Sequence, residues 1–255
     1  MLLAIDIGNT ETTLGVFEGE GLRATWHTAT VIHRTADEQA ALLSNLLDSQ
    51  GLDSNDIKGV ALCSVVPPLT AIYEEMFGRY FNISPMVVRA GVKTGVRILM
   101  DNPKEVGADR IVDAVAAHHL YGGPIIIVDL GTATTFDTVS KDGDYLGGAI
   151  APGIVSAAEA MFHRAAMLPH VELVRPDRVI GTNTIDAMKS GIVFGYVSLV
   201  EGMVARIQKE LGAKTRVIAT GGFAEMIAKE TAVVDEVNPD LTLIGLRLVY
   251  QMNKA

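Results

Sequence analysis

The chain has 255 residues, 49% hydrophobic and 20% charged, with a formal net charge of −9. That composition is globular rather than disordered and supplies one large core or two ordinary ones. The acidic balance argues against nonspecific nucleic-acid binding, which needs concentrated Lys and Arg, yet leaves phosphorylated ligands open, since backbone N–H groups and Mg²⁺ hold phosphates locally.

In chain order, Leu3, Ile5 and Ile7 alternate as a strand, Gly8-Asn9-Thr10 turns, and Thr13–Phe17 alternates again, predicting a hairpin. The N-terminus has no basic region and meets Asp6 early, so no signal peptide is expected. Arg23–Thr30 is a third strand. Thr35-Ala36-Asp37-Glu38 fits a capping box ahead of Leu42, Leu43, Leu46 and Leu47 at helical spacing. Gly59–Val65 is a buried strand ended by Pro67-Pro68, and it carries Cys63, the only cysteine, which rules out an intrachain disulfide and is expected to be inert.

Asn102-Pro103-Lys104-Glu105 opens another helix, with Asn as N-cap and Pro at N1. Val106, Ile111, Val115 and Leu120 form its apolar face, and Gly122-Gly123 stops it. Ile125–Val128 is an apolar strand. A long helix is expected over Thr184–Leu211, a strand over Thr215–Ala219 and a short helix over Phe223–Glu230. No unbroken apolar run reaches the roughly 18 residues that span a bilayer, so a soluble, cytoplasmic protein with no membrane partner is expected.

Ile5-Asp6-Ile7-Gly8-Asn9-Thr10 recurs in form as Val128-Asp129-Leu130-Gly131-Thr132-Ala133, near the midpoint. The repeat predicts two similar halves, residues 1–120 and 121–255, each offering an acidic strand-turn to a shared cleft. A glycine in such a turn lets backbone approach a phosphate, and Asn9, Thr10, Thr12 and Thr13 add donors. Asp6 suits Mg²⁺, which takes one or two carboxylates plus phosphate oxygens. Alone, the first turn reads equally well as an ordinary β-turn; the second, with three hydroxyls at Thr132, Thr134 and Thr135, favours two loops gripping one polyphosphate. The Gly-x-x-x-x-Gly-Lys-Ser/Thr loop and the protein-kinase signatures are absent.

In Gly107-Ala108-Asp109-Arg110, the second turn of the predicted helix, Asp109 suits a proton acceptor and Arg110 a carboxylate clamp; the plain alternative is an exposed charge pair. Gly147–Gly153 is a backbone-dominated turn, either lining a ligand or merely connecting. Thr220-Gly221-Gly222 offers amides between strand and helix. Gly181-Thr182-Asn183-Thr184 supplies an N-cap, with Thr184 a further substrate contact. Gly191 and Gly195, four apart, admit a close helix at a subunit interface or in the interior. His118-His119 lacks zinc spacing, and Met161 and Met167 read as core fillers.

The ordered set Asp6-x-Gly8-Asn9-Thr10, Ser64-Val65-Val66-Pro67-Pro68, Asn102-Pro103-x-Glu105-x-Gly107-Ala108-Asp109-Arg110, Asp129-x-Gly131-Thr132-Ala133-Thr134-Thr135-x-Asp137, Gly147-Gly148-x-Ile150-x-Pro152-Gly153, Asn183-Thr184 and Asp240-Leu241-Thr242-Leu243-x-Gly245-Leu246 resembles type III pantothenate kinases over nearly the whole chain. Each motif is weak alone; the order is specific. The resemblance implies an α/β fold of two ribonuclease-H-like halves of the sugar-kinase/actin superfamily around a central nucleotide cleft. It implies ATP-dependent phosphorylation of pantothenate to 4′-phosphopantothenate, with Mg²⁺, a monovalent cation (K⁺ or NH₄⁺) and a homodimer. Carried over, Asp6, Ile7, Gly8, Asn9, Thr10, Glu11, Thr12 and Thr13 bind ATP phosphates and Mg²⁺, and Thr132 contacts ATP. Gly107, Ala108, Asp109 and Arg110 bind pantothenate with Asp109 as general base. Asp129 holds the monovalent cation and Thr184 contacts substrate. Many relatives carry Tyr where this chain has Met100, so a tyrosine contact is not implied. A nucleotide-binding regulator and a phosphoanhydride hydrolase of the same superfamily are the alternative readings; keeping both Asp109 and Asp129 favours a kinase.

Overall fold

β1 (Leu2–Ile7) and β2 (Glu11–Glu18) form the expected hairpin, with Ile7 opposite Thr12, and β3 (Gly21–Ala29) continues it antiparallel. The computed structural model describes residues 1–165 and 168–254. α1 (Ala36–Ser49) begins at a complete capping box: Glu38 N–H donates to Thr35 Oγ1 at 3.3 Å while Thr35 N–H donates to Glu38 Oε2 at 2.8 Å. β4 (Gly59–Ser64) pairs parallel with β1, and β5 (Met86–Val87) parallel with β4, giving the sheet order β3-β2-β1-β4-β5. Pro67-Pro68 does more than end a strand. It opens α2 (Pro67–Met76), where a missing N–H costs nothing because first-turn amides have no intrahelical acceptor.

The expected helix from Pro103 is divided. Pro103–Glu105 is a 3₁₀ turn capped by Asn102, and α3 (Ala108–Tyr121) starts only after Gly107. Asp109 therefore lies in the first helical turn, not the second. The buried line of α3 is Val112, Asp113, Val115 and Ala116, whereas Leu120 is 43% exposed.

The second sheet repeats the first strand for strand. β6 (Ile125–Leu130), β7 (Ala133–Val139) and β8 (Tyr145–Pro152) run antiparallel, while β9 (Arg216–Thr220) pairs parallel with β6 and β10 (Glu236–Val237) parallel with β9. Its order, β10-β9-β6-β7-β8, matches β5-β4-β1-β2-β3. Gly147 and Gly148 lie within β8 rather than in a turn. A Cβ at Gly148 would stand 1.7 Å from Phe136 O, so the neighbouring strand demands glycine. α4 (Ile154–Arg164), α5 (Thr184–Leu211) and α6 (Ala224–Ala228) follow, and residues of all three join the cluster built on Val128, Phe136 and Val217.

α5 is also long and apolar enough to cross a membrane, with a mean hydropathy of 1.3 over its most apolar stretch. Its apolar residues do not form an unbroken run, because Lys189, Glu201 and scattered Gly and Ser interrupt them. Ile192, Val197, Val200 and Val204 of α5 are buried against the sheet's cluster. Gly191 and Gly195 face open space on the same helix, so neither serves interior packing. Met161 is exposed rather than core, and Met167 lies outside the described residues.

α7 (Leu241–Lys254) departs from a division at residue 120. The two compact units are Met1–Gly95 with Asn102–Ala116 and Thr242–Ala255, and Val96–Asp101 with Ala117–Leu241. Glycines let α7 lie close to the first unit: a Cβ at Gly245 would meet Val112 O of α3 at 2.0 Å, and one at Gly15 would meet Leu243 Cδ1 at 2.7 Å. In the first unit, Leu3, Ile5, Ile7, Val60 and Leu62 pack with α1 and α2 on one sheet face. Strand alternation turns Ala4, Asp6, Ala61 and Cys63 to the other face.

Candidate active site

The first unit places a glycine turn at the end of β1. Gly8 N–H donates to Glu11 O at 3.0 Å, and a Cβ on Gly8 would lie 2.8 Å from that oxygen, so the turn closes only around glycine. Asn9, Thr10 and Glu11 are exposed at its tip. Thr30, which the sequence reading passes over, latches the turn from β3: its hydroxyl donates to Gly8 O at 2.8 Å and its N–H to Thr10 O at 2.9 Å. Ile7 is fully buried in the core, so only its backbone is available at the turn. The Thr12 hydroxyl sits 2.9 Å from that of Thr30, and Thr13 Oγ1 lies 3.3 Å from His27 Nδ1, which is 3.0 Å from Glu11 Oε1.

Behind the turn lies a group of carboxylates. Asp6 and Cys63 are side by side on β1 and β4, and the Cys63 thiol donates to Asp6 Oδ1 at 3.2 Å. Burial pushes the Asp6 carboxyl up to about 7; the Cys63 hydrogen bond opposes this, and the negative charges of Asp109 and Glu11 add to it. Part of the residue remains accessible, but its carboxyl is enclosed enough for desolvation to dominate. Burial first, then the charges of Asp6, Asp109 and Asp113, push the Cys63 thiol well above its ordinary value, so it stays a neutral donor. Asp109 and Asp113 are one helical turn apart on α3, a spacing that puts both on one face. Asp113 is 4% exposed; a carboxylate among Val112, Ala114, Val115 and Ala116 was the sequence signal for it. Asp109 Oδ1 accepts Arg110 N–H at 2.8 Å, and a Cβ on Gly107 would lie 2.3 Å from the same oxygen.

This oxygen-rich, like-charged setting fits Mg²⁺, because a cation at Asp6 relieves both the desolvation and the repulsion that protonate it. Among the described residues no cluster of three or more His, Cys, Asp or Glu forms a metal cage. Mg²⁺ held by one or two carboxylates plus phosphate oxygens needs none.

The second unit carries the equivalent turn. Asp129 stands opposite Thr135 on β7 and beside Thr220 on β9, as Asp6 stands opposite Thr13 and beside Cys63. Gly131 N–H donates to Ala133 O at 3.1 Å. Gly221, at φ +89°, leaves space that a Cβ would fill 2.4 Å from Asp129 Oδ1. A carboxylate beside such a glycine cradle suits a monovalent cation. Gly153, the N-cap of α4, packs where a Cβ would meet Thr132 O at 2.2 Å, and Ser156 Oγ donates to Thr132 O at 3.3 Å. Asp137, given no role by the sequence reading, is buried with Thr135 Oγ1 donating at 2.8 Å and the Tyr145 hydroxyl donating to its other oxygen. Thr184 is the first residue of α5 after the Asn183 cap and lines an open groove of about 530 Å³ with Met161, Leu168 and Met188. Met100 packs over Gly147.

Of the expected site residues, Asp6 to Thr13 and Gly107 to Arg110 belong to the first unit, where Asp6 and Asp109 act on one another electrostatically. Asp129, Thr132 and Thr184 belong to the second.

Comparison with known proteins gives a consistent result. A family model described as type III pantothenate kinase matches residues 2–206. A type III pantothenate kinase of Dehalococcoides mccartyi is 58% identical over 254 residues, covering 100% of this chain and 98% of its own. One from Moorella thermoacetica is 54% identical, covering 99% of this chain and 100% of its own. Among solved structures, component A of (R)-2-hydroxyglutaryl-CoA dehydratase from Acidaminococcus fermentans superposes with a TM-score of 0.57 at 14% identity, covering 100% of this chain and 99% of its own. At that identity the likeness concerns the fold alone.

Proposed function

The chain belongs to the type III pantothenate kinase family and phosphorylates pantothenate with ATP in coenzyme A biosynthesis, and from that premise we propose that Asp109 is the general base of the transfer and Asp6 the anchor of its metal. The observation carrying this reading is the coupling of the two carboxylates: the charge of Asp109 is among the causes that raise the Asp6 carboxyl to about 7. Burial and that neighbouring charge make Asp6 the carboxylate that gains most from a cation, which leaves Asp109 to accept the proton.

Asp109 accepts the proton of the pantothenate hydroxyl as that oxygen bonds to the γ-phosphorus and the bond to the β-phosphate oxygen breaks, releasing ADP. Gly107 leaves room for the Asp109 carboxylate, and Arg110 binds the pantothenate carboxylate. The N–H groups from Gly8 to Thr13, with the exposed Asn9 and Thr10 side chains, bind the ATP phosphates, and Glu11 adds charge behind the metal position. Mg²⁺ at Asp6 supplies charge neutralisation on the phosphates. In the second unit, Thr132 contacts ATP, Asp129 holds K⁺ or NH₄⁺ and Thr184 contacts substrate; in the first, Ala108 adds a further substrate contact.

A homodimer formed through α5 fits the open glycines Gly191 and Gly195 and the exposure of Val179, Ile180 and Ile185 beside its N-terminus. The protein acts in the cytoplasm. A coupled assay of ADP release tests the reading: release requires pantothenate and rises with K⁺. Phosphate release from ATP in the absence of pantothenate, at an equal rate, would point instead to a hydrolase.

A further inference from the structure

The other end of the first unit's sheet, where β1 and β4 begin and β2 ends, holds a separate cavity of about 270 Å³. Phe17, Lys58, Gly59, Arg247, Tyr250 and Lys254 line it, and no Asp or Glu does. That grouping stands out in a chain of net charge −9.

Arg247, on α7, is 6% exposed, and its guanidinium carbon sits 5.6 Å from the centre of the Phe17 ring. Nη1 reaches Gln251 Oε1 only at 3.5 Å, the limit of a hydrogen bond, and the buried Nε has no partner. Among the described residues Arg247 makes no ion pair. Lys58 Nζ donates to the Asn55 carbonyl at 2.7 Å and Lys254 Nζ lies 5.4 Å from the centre of the Tyr250 ring; among the described residues neither of these exposed cations is paired with a carboxylate. A Cβ at Gly59 would lie 1.9 Å from the Tyr250 hydroxyl, so α7 is held tightly against β4 here.

A buried guanidinium without a counter-ion is costly, and the Phe17 ring and the long contact to Gln251 offset only part of that cost. Its planar fork matches an oxyanion bidentately. The volume is below that of most drug-sized sites and suits inorganic phosphate or a small phosphate monoester rather than a nucleoside triphosphate. We propose that this cavity is an anion site for a small phosphate group, held by Arg247 with Lys58 and Lys254 as supporting cations, and distinct from the Gly8 turn at the opposite end of β1. The proposal is independent of the assignment of Asp109.

The test is thermal unfolding of the full chain in sodium phosphate against sodium chloride at matched pH and ionic strength. Phosphate raises Tm of the wild type by roughly 2–4 °C. Lys58→Gln combined with Lys254→Gln, both surface changes, removes at least half of that rise and leaves kinase turnover in phosphate-free buffer unchanged. Arg247→Met removes all of it. Equal Tm in the two salts means a water-filled cavity and overturns the proposal. A phosphate-dependent rise undiminished in the double-lysine variant places the ion elsewhere, at the ATP turn, and overturns it equally.

Discussion

The thiol of Cys63 donates a hydrogen bond to Oδ1 of Asp6, 3.2 Å away across two parallel strands. The only cysteine of the chain is thus a ligand-orienting neighbour of the carboxylate proposed to anchor the metal, and burial, with the charges of Asp6, Asp109 and Asp113, holds it in the thiol form. Because the hydrogen bond favours ionised Asp6, Cys63→Ala pushes the Asp6 carboxyl higher still. The acid limb of the rate–pH profile then moves to higher pH, and more Mg²⁺ is needed for half-maximal rate. Cys63→Ser, with a stronger donor, moves both the other way. Profiles of kcat/KM at fixed pantothenate measure this; three superimposable profiles would remove Cys63 from the account.

Asp6 itself trades stability for function. Its folded carboxyl titrates near 7 against an ordinary 3.8, so charging it disfavours the folded state increasingly as pH rises from about 4 through about 7. Asp6→Asn is therefore more stable than wild type above pH 7, by about 1–3 kcal/mol without Mg²⁺, and the advantage vanishes below pH 4. The variant also loses Mg²⁺-dependent ATP binding. Denaturant melts across the pH range check the first point and calorimetry with and without Mg²⁺ the second.

Gly221 is required twice, by its φ of +89° and by the Asp129 carboxylate that a Cβ would meet at 2.4 Å. Gly221→Ala destabilises by about 1–3 kcal/mol through backbone strain and displacement of Asp129. Activation by K⁺ weakens along with it, read as a rise of several-fold in the K⁺ concentration for half-maximal rate. Gly222→Ala, one residue on and with nothing within 4 Å of its Cβ position, is the control that leaves K⁺ activation intact.

Much of this architecture was legible because local signals and tertiary packing agree. The Thr35 capping box, the Gly-Asn hairpin and the Asn183-capped helix all formed where residue chemistry placed them. The internal repeat around Asp6 and Asp129 suggested two similar halves, and the chain forms two sheets of matching strand order, which the repeat did not itself specify. What escaped was set by distant contacts. Pro67-Pro68 reads equally well as the end of a strand or the first turn of a helix, and only packing of Leu69, Tyr73 and Met76 into the first core decides. The helix expected from Pro103 breaks at the extended Val106, and Gly107 is needed there because a Cβ would meet the Asp109 carboxylate at 2.3 Å. The return of α7 to the first unit rests on Gly15 and Gly245, which meet Leu243 and Val112, each over a hundred residues away in sequence. The support of the site was hidden for the same reason. Thr30, Cys63 and Asp113 carry no motif of their own; strand register and helix face bring them to Gly8, Asp6 and each other.

The central claim is that Asp109 takes the proton of the acceptor hydroxyl. Single-turnover phosphorylation of pantothenate by Asp109→Asn, with ATP and Mg²⁺ saturating, tests it most directly. The account predicts unchanged ATP affinity and a phosphoryl-transfer rate lower by about 10²–10⁴-fold. Transfer at close to the wild-type rate, with ATP bound normally, would contradict it.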